Sequence, residues 1–235
     1  MAFYLKLGKR LQQLNKMITQ PYQHIWDCCC DHGLLGMTLI SRQAAPEVHF
    51  IDIVPELMQA LDSKLQHYFS AMPQSWTTHC LDVQNLPMNS YEQKNPGKHL
   101  VIIAGVGGDL TTQLMEQIYR NNPTTDIDFL LCPVHHQFTL RQKLIALNFS
   151  LIDEVLITEN KRFYEILLVS TNLNKTIKTR AISAVGDKIW RSDTPEKSVM
   201  IRAYLTKTLQ HYRRIQLNPQ RHIQVIIDAY QTKIF

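Results

Sequence analysis

Apolar positions recur at spacings of three and four over the first 20 residues, at Leu7, Leu11, Leu14 and Ile18, which predicts an amphipathic helix ended by Pro21. A short apolar run from His24 to Cys30 follows, too short for a core helix and closed by the turn residues Asp31, His32 and Gly33, so it reads as a buried strand. From there the period alternates. Residues 33–43 read as helix, 47–53 as strand, 55–69 as a helix with Pro55 in its first turn, 75–82 and 99–105 as strands, 108–121 as helix, 126–134 as strand and 138–148 as helix. The strands 150–159 and 162–171 are separated only by Asn160-Lys161, a hairpin signal. Repeated strand-helix units imply an α/β, Rossmann-like, mostly parallel sheet of seven strands covered on both faces, closed by a C-terminal antiparallel strand.

The last quarter has a different pattern. Val199, Leu205, Leu209 and Tyr212 form one helical stripe over 194–216, and Ile223, Ile226, Ile227 and Tyr230 a second over 218–235, with a turn at Asn218-Pro219. Two such helices would pair as a hairpin. The division expected is therefore a domain at 1–172 that includes the N-terminal helix, and a small helical domain at 173–235. Charge sharpens this division: residues 1–170 carry 13 Lys and Arg against 16 Asp and Glu, whereas residues 171–235 carry 12 against 4. A basic appendage suggests a polyanionic partner, most simply RNA, with Lys207, Arg213, Arg214 and Arg221 left outside the hairpin to meet phosphates. A solvated helical surface would carry the same charges.

Composition sets wider bounds. At 235 residues and 27.3 kDa, 45% hydrophobic and 19% charged, the chain is that of a globular protein. No apolar run approaches the roughly 20 residues needed to span a bilayer, and the N-terminus lacks a secretory core, which points to the cytoplasm. Five cysteines, an odd number without C-x-x-C spacing, argue against a disulfide framework or a zinc knuckle. Side chains of adjacent residues such as Cys28, Cys29 and Cys30 point to opposite faces of an extended chain and do not converge on one ion. Cys132 with His135 and His136 is the only other ligand-like run, and a strand end followed by a turn explains it equally; no metal is expected.

Ligands of doubly wound sheets bind at the carboxyl ends of the strands. Those ends carry Asp27 to Gly33, Asp52, Asp82, and Ala104 to Gly108. An acidic residue closing the second strand suits a ribose diol, as in NAD or S-adenosylmethionine. The first loop discriminates between them, because Asp27 and Asp31 would repel a pyrophosphate but suit the cationic sulfonium and ammonium groups of S-adenosylmethionine. Asp82 is placed for the exocyclic amine of the adenine.

These residues carry a resemblance. The run Asp27-Cys-Cys-Cys-Asp31-His32-Gly33, the terminal Asp52, Leu81-Asp82, Ile103-Ala-Gly-Val-Gly-Gly108, Pro133 with Leu140-Arg141, and Phe163-Tyr164-Glu165 resemble the bacterial tRNA adenine N1-methyltransferase family of TrmK type over essentially residues 5–235. The resemblance implies a class I methyltransferase domain followed by a coiled-coil-like helical domain, S-adenosyl-L-methionine as donor and tRNA as partner. It implies donor contacts from Asp27, Cys29, Asp31, His32, Gly33, Asp52, Ile53, Asp82, Val83, Ala104, Gly105, Val106 and Gly107, with Asp31, Gly105 and Asp109 as catalytic candidates. Four positions depart from the family pattern: Cys29 replaces a glycine, Cys30 a small hydroxyl residue, Gly36 a proline and, more mildly, Val106 a methionine. A cysteine suits position 29 only if the backbone there does not need positive φ. Gly107-Gly108 also has a plainer reading, as a tight turn and helix start. Other expectations remain open: a methyltransferase for a protein or small molecule, a non-catalytic RNA-binding protein that keeps the fold, and, more distantly, an NAD-dependent oxidoreductase.

Overall fold

The computed structural model describes residues 6–171, 180–218 and 223–233. In chain order these form α1 (Lys9–Met17), β1 (His24–Cys28), α2 (Leu34–Ser41), β2 (Glu47–Asp52), α3 (Pro55–Phe69), β3 (Trp76–Cys80), α4 (Met88–Lys94), β4 (His99–Ala104), α5 (Gly108–Asn121), β5 (Ile127–Cys132), α6 (Gln137–Ala146), β6 (Ser150–Glu159), β7 (Arg162–Ser170), β8 (Arg180–Ala181), α7 (Pro195–Gln216) and α8 (Gln224–Gln231). Short 3-10 turns cover Val83–Asn85 and Lys188–Trp190.

The sheet order is β3-β2-β1-β4-β5-β7-β6-β8. Strands β1 to β5 pair in parallel, and β7 runs antiparallel between β5 and β6. The sheet has eight strands where seven were expected, the extra one being a two-residue edge strand against the start of β6, too short to leave a pattern in the sequence. Central strands β1, β4 and β5 are buried almost throughout, which is why they read as continuous apolar runs rather than alternating ones. Asn160 and Lys161 both have positive φ (51° and 62°), the conformation of a tight two-residue hairpin turn, so the β6–β7 connection has the predicted place and length.

One core lies between the sheet and α1, α2 and α3, around Leu14, Ile40, Phe50 and Leu61; the other, on the opposite face, lies under α5 and α6, around Trp26, Met115, Phe129 and Leu144. A third cluster joins Trp190, Tyr204, Leu205, Leu209, Ile227 and Tyr230 to Phe138 of α6 and Leu156 of β6. The C-terminal helices therefore pack onto the sheet domain as well as onto each other. Leu205 and Leu209 are buried as the stripe predicts, but Val199 is 68% exposed, because the helix has turned that position to the outside. Helix α8 begins at Gln224, not at residue 218, and Pro219, in the expected turn, lies outside the described residues.

Arg141 and Glu165, from the distal part of the motif pattern, account for this docking together with Glu154. Arg141 on α6 is fully buried and donates through Nε to Glu165 on β7 and through Nη2 to Glu154 on β6, each at 2.7 Å. Tyr204 of α7 donates its hydroxyl to the same Glu165 (2.5 Å), and the backbone N–H groups of Asp187 and Lys188 donate to Glu154 Oε1 (2.7 and 2.6 Å). Among the described residues no helix is long and apolar enough to cross a membrane.

Candidate functional site

The loop after β1 has a regular oddity. Cys29, Asp31 and Gly33 all take the left-handed conformation, with φ of 54°, 51° and 67°. The expectation for position 29 is thus corrected: the backbone keeps the glycine-type conformation, and cysteine adopts it although a Cβ makes that region unfavourable. The conformation is held by Cys30 N–H donating to Ile51 O (3.1 Å), Gly33 N–H to Cys30 O (2.8 Å) and Asp31 N–H to Asp52 Oδ2 (3.2 Å). Asp52 also accepts from Val54 N–H through Oδ1 (3.2 Å), so this carboxylate ties the first loop to the end of β2.

Asp27 lies beneath that loop, 5% exposed, and accepts from Gly36 N–H (2.9 Å) in the first turn of α2. Burial pushes its carboxyl up to about 7, only partly offset by that backbone donor. Asp82 caps the 3-10 turn after β3 by accepting from Gln84 N–H (2.9 Å). The Cys29 thiol feels all three carboxylates: burial first, then Asp52, Asp27 and Asp82, push it up to about 11, and Cys28 and Cys30 are raised as well. These thiols stay protonated at neutral pH. Cys132, His135 and His136 do not gather either, and the one convergent ligand-type group among the described residues is His24, Glu47 and His49, at the amino ends of the strands.

At the end of β4, Gly105 has φ of 92°, and a Cβ there would come within 3.0 Å of Arg10 Nη1. Gly107 and Gly108 follow the plainer reading: added Cβ atoms would lie 2.6 Å from the His135 ring and 2.4 Å from the His135 carbonyl oxygen. Gly108 N–H donates to that oxygen (3.0 Å), so this pair exists to let the loop after β5 close over the start of α5.

A cavity of about 230 Å3 opens between the first loop and the end of β4. Of the predicted residues, Asp27, Cys29, Asp31, His32, Ala104, Gly105 and Val106 line it. Gly33, Asp52, Ile53, Asp82, Val83 and Gly107 do not. Gly33 packs against Leu61, Val83 is buried in the second core, and Ile53 stands 67% exposed beside Asp52. Asp109 points elsewhere, paired with His136 at 2.8 Å, so of the three catalytic candidates only Asp31 and Gly105 line the cavity. Lys207, Arg213 and Arg214 are exposed on α7, and Arg221 lies outside the described residues.

Arg10 was not singled out by any motif or spacing. This residue of α1 lines the cavity, with its guanidinium 5.4 Å from the Tyr164 ring centroid and in contact with the Cys132 thiol. Its backbone N–H donates to Glu159 (3.2 Å), while its buried Nε finds no hydrogen-bond partner among the described residues. The cavity is thus lined by both a buried carboxyl and a guanidinium whose Nε has no hydrogen-bond partner among the described residues.

A family model described as a methyltransferase domain matches residues 7–167, well over half of the chain. The chain belongs to that methyltransferase-domain family. The match runs from α1 into β7, so it contains every residue that lines the cavity. No curated protein matches by sequence. Among solved structures, the methyltransferase domain and its helical appendage together resemble Sp1610 of Streptococcus pneumoniae (18% identity, 98% of this chain and 100% of that chain, TM-score 0.74). They also resemble the B. subtilis m1A22 tRNA methyltransferase TrmK (18%, 99% and 100%, TM-score 0.69). M. capricolum TrmK, solved with S-adenosylhomocysteine, is similar over 96% of both chains (18%, TM-score 0.69). At this identity the likeness establishes the fold, appendage included.

Proposed function

We propose that this protein is an S-adenosyl-L-methionine-dependent methyltransferase that methylates N1 of an adenine in tRNA. The observation that carries the reading is the cavity lined by both Asp27 and Arg10, a buried acid and a guanidinium with no carboxylate hydrogen-bonded to it among the described residues, which complement the ammonium and carboxylate of an amino-acid headgroup. Asp52 then suits the ribose hydroxyls, Asp82 the adenine amine, and the exposed Ile53 the apolar face of the adenine. Cys29 fits beside the donor as an uncharged thiol. S-adenosylmethionine supplies an electrophilic methyl group on a sulfonium.

Adenine N1 presents an in-plane lone pair, so the chain has no proton to remove from the nucleophile; its task is alignment. Gly105, bare of a side chain at the cavity wall, would let a flat base approach closely. Asp31, exposed at the cavity rim, would offset the positive charge that appears on the methylated base. Asp109, held by His136, is a weaker candidate for that role. The basic residues of 173–235 would hold the RNA, and a tRNA acceptor implies a cytoplasmic enzyme.

The test incubates the protein with unmodified bulk tRNA and labelled donor, digests the RNA and identifies nucleosides by mass spectrometry. N1-methyladenosine above a no-enzyme control is the expected product. Donor binding without methyl transfer to tRNA would move the assignment to a protein or small-molecule acceptor, and absence of donor binding would leave a non-catalytic RNA-binding fold. Arg10→Met should weaken donor binding by roughly ten- to a hundredfold, the value of one charge-assisted contact, measured calorimetrically. Unchanged affinity would remove Arg10 from the site.

A further inference from the structure

A second cleft, about 430 Å3, lies between the loop after β5, the start of β7 and one face of α7. His135, His136, Arg162, Lys207 and His211 line it and no Asp or Glu does, in a chain with 20 acidic residues. Neighbouring acids are already engaged: Asp109 by His136 at the edge, Glu165 by Arg141 and Tyr204 below, and Glu159, cross-strand from Arg162, by the Arg10 backbone N–H. Burial, then Arg214 and His136, disfavour the charged form of His211, so the standing positive charge of the cleft is that of Arg162 and Lys207.

The floor is aromatic. Phe163 is half-buried, its ring centroid 5.5 Å from that of Tyr204, and Lys207 Nζ sits 5.7 Å from the Phe163 centroid. A ring with a cation above it and no carboxylate around it is the arrangement that binds an unpaired nucleotide, the base stacking on the ring and the phosphate meeting the cation. The cleft also adjoins the donor cavity, because His135 packs directly against Gly107, next to the cavity residue Val106, and Val134 N–H donates to Val106 O (3.0 Å).

We infer that this cleft holds an unpaired RNA nucleotide flanking the acceptor adenine, with its base on Phe163 and its phosphates on Lys207 and Arg162. The inference rests on RNA being the acceptor. It differs from a general attraction of basic helices for RNA, because it names a stacking platform and assigns Lys207 a different role from Arg213 and Arg214 farther along α7.

The test separates RNA binding from turnover. Unmodified tRNA binding is measured by fluorescence anisotropy across a salt series, and methylation kinetics and donor affinity are measured alongside, for Phe163→Ala, Phe163→Tyr, Lys207→Ala and the control Lys64→Ala on α3. Phe163→Ala is expected to weaken tRNA binding and raise KM about tenfold, with Phe163→Tyr near wild type and donor affinity unchanged. Lys207→Ala, at an exposed position that does not threaten folding, should lower the salt slope by about one, whereas Lys64→Ala should not. Wild-type KM and salt slope in both alanine variants would overturn the inference even if tRNA is methylated. If the protein binds tRNA without methylating it and the variants still weaken binding, the cleft stands and the methylation reading falls; no tRNA binding by the wild type overturns both.

Discussion

At the scale of single residues, the site shows which features a sequence displays. Asp27, which lines the cavity, was legible because it lies at the carboxyl end of a strand, where a parallel sheet presents its ligands; Asp52 and Asp82 share that kind of position but do not line the cavity. The handedness of Cys29 was not legible, since it is set by hydrogen bonds from the loop to β2 rather than by the residue itself. It leads to a prediction. Cys29→Gly relieves about 1 kcal/mol of backbone strain and loses a similar amount of thiol burial, so the melting temperature should stay within a few degrees. Cys29→Val keeps the burial but adds a β-branch in the left-handed region, and should lower it clearly below both. Equal melting temperatures for the glycine and valine variants in a thermal scan would show that the loop does not enforce this conformation. Asp27 carries a second residue-scale prediction. With its carboxyl raised to about 7 by burial, it is partly protonated at neutral pH, and a cationic donor would drive that proton off. Calorimetry in buffers of different ionisation enthalpy at pH 7 should therefore detect proton release on donor binding, and its disappearance in Asp27→Asn would assign it.

At the scale of elements, the four strands β1 to β4 each place a histidine on the face beneath α4: His24, His49, His79 and His99. The acceptors fix their protons. Asn95 O can only accept, so His24 carries hydrogen on Nε2 and accepts at Nδ1 from His49 Nε2 (3.1 Å), and His49 Nδ1 accepts from His79 Nε2 (3.2 Å). Trp26 donates to His99 Nδ1 (3.0 Å), leaving His99 Nε2–H for Glu92 (2.9 Å). The row is hydrogen-bonded through single protons. Burial holds His49 down to about 2 and His99 to about 4, and His79 below its ordinary value. An unfolded chain would bind those protons near pH 6.5, so this contribution to stability is complete above that pH and drains away as pH falls toward 4. His49→Gln should remove roughly 1.4 kcal/mol per pH unit of that acid slope, read from urea midpoints between pH 7 and 5. Parallel pH profiles for the two proteins would show that His49 is not part of it. The strands themselves were legible, but their histidine row was not, because lateral alignment depends on register, which a single sequence does not carry. Helix α4 was missed for a related reason: seven residues with one buried apolar position make no period.

At the scale of the whole molecule, Arg141, Glu154 and Glu165 join the sheet to the C-terminal helices, with all three side chains shielded from water. The place of Arg141 and Glu165 in the motif pattern was visible in the sequence, but Glu154 and the role of the cluster were not, since the partners lie 13 and 24 residues apart on different elements. Arg141→Met would strand two buried carboxylates and should cost about 3–5 kcal/mol, with earlier proteolysis of α7. Adding Glu165→Gln should recover part of the loss; if it recovers none, charge pairing is not what the cluster contributes. Finally, the position of Arg10 has a consequence in time. Its anchors, Cys132, Glu159 and Tyr164, are supplied by strands at the far end of the domain, and the separation to Glu159 is 149 residues. At synthesis rates of about 5–20 residues per second, Arg10 waits roughly 8–30 s on the ribosome for the wall it leans on. A nascent chain halted before β5 already has the first loop's acids, Asp27 and Asp31, yet lacks every one of these anchors, so the ability to take up a donor should arrive late during translation.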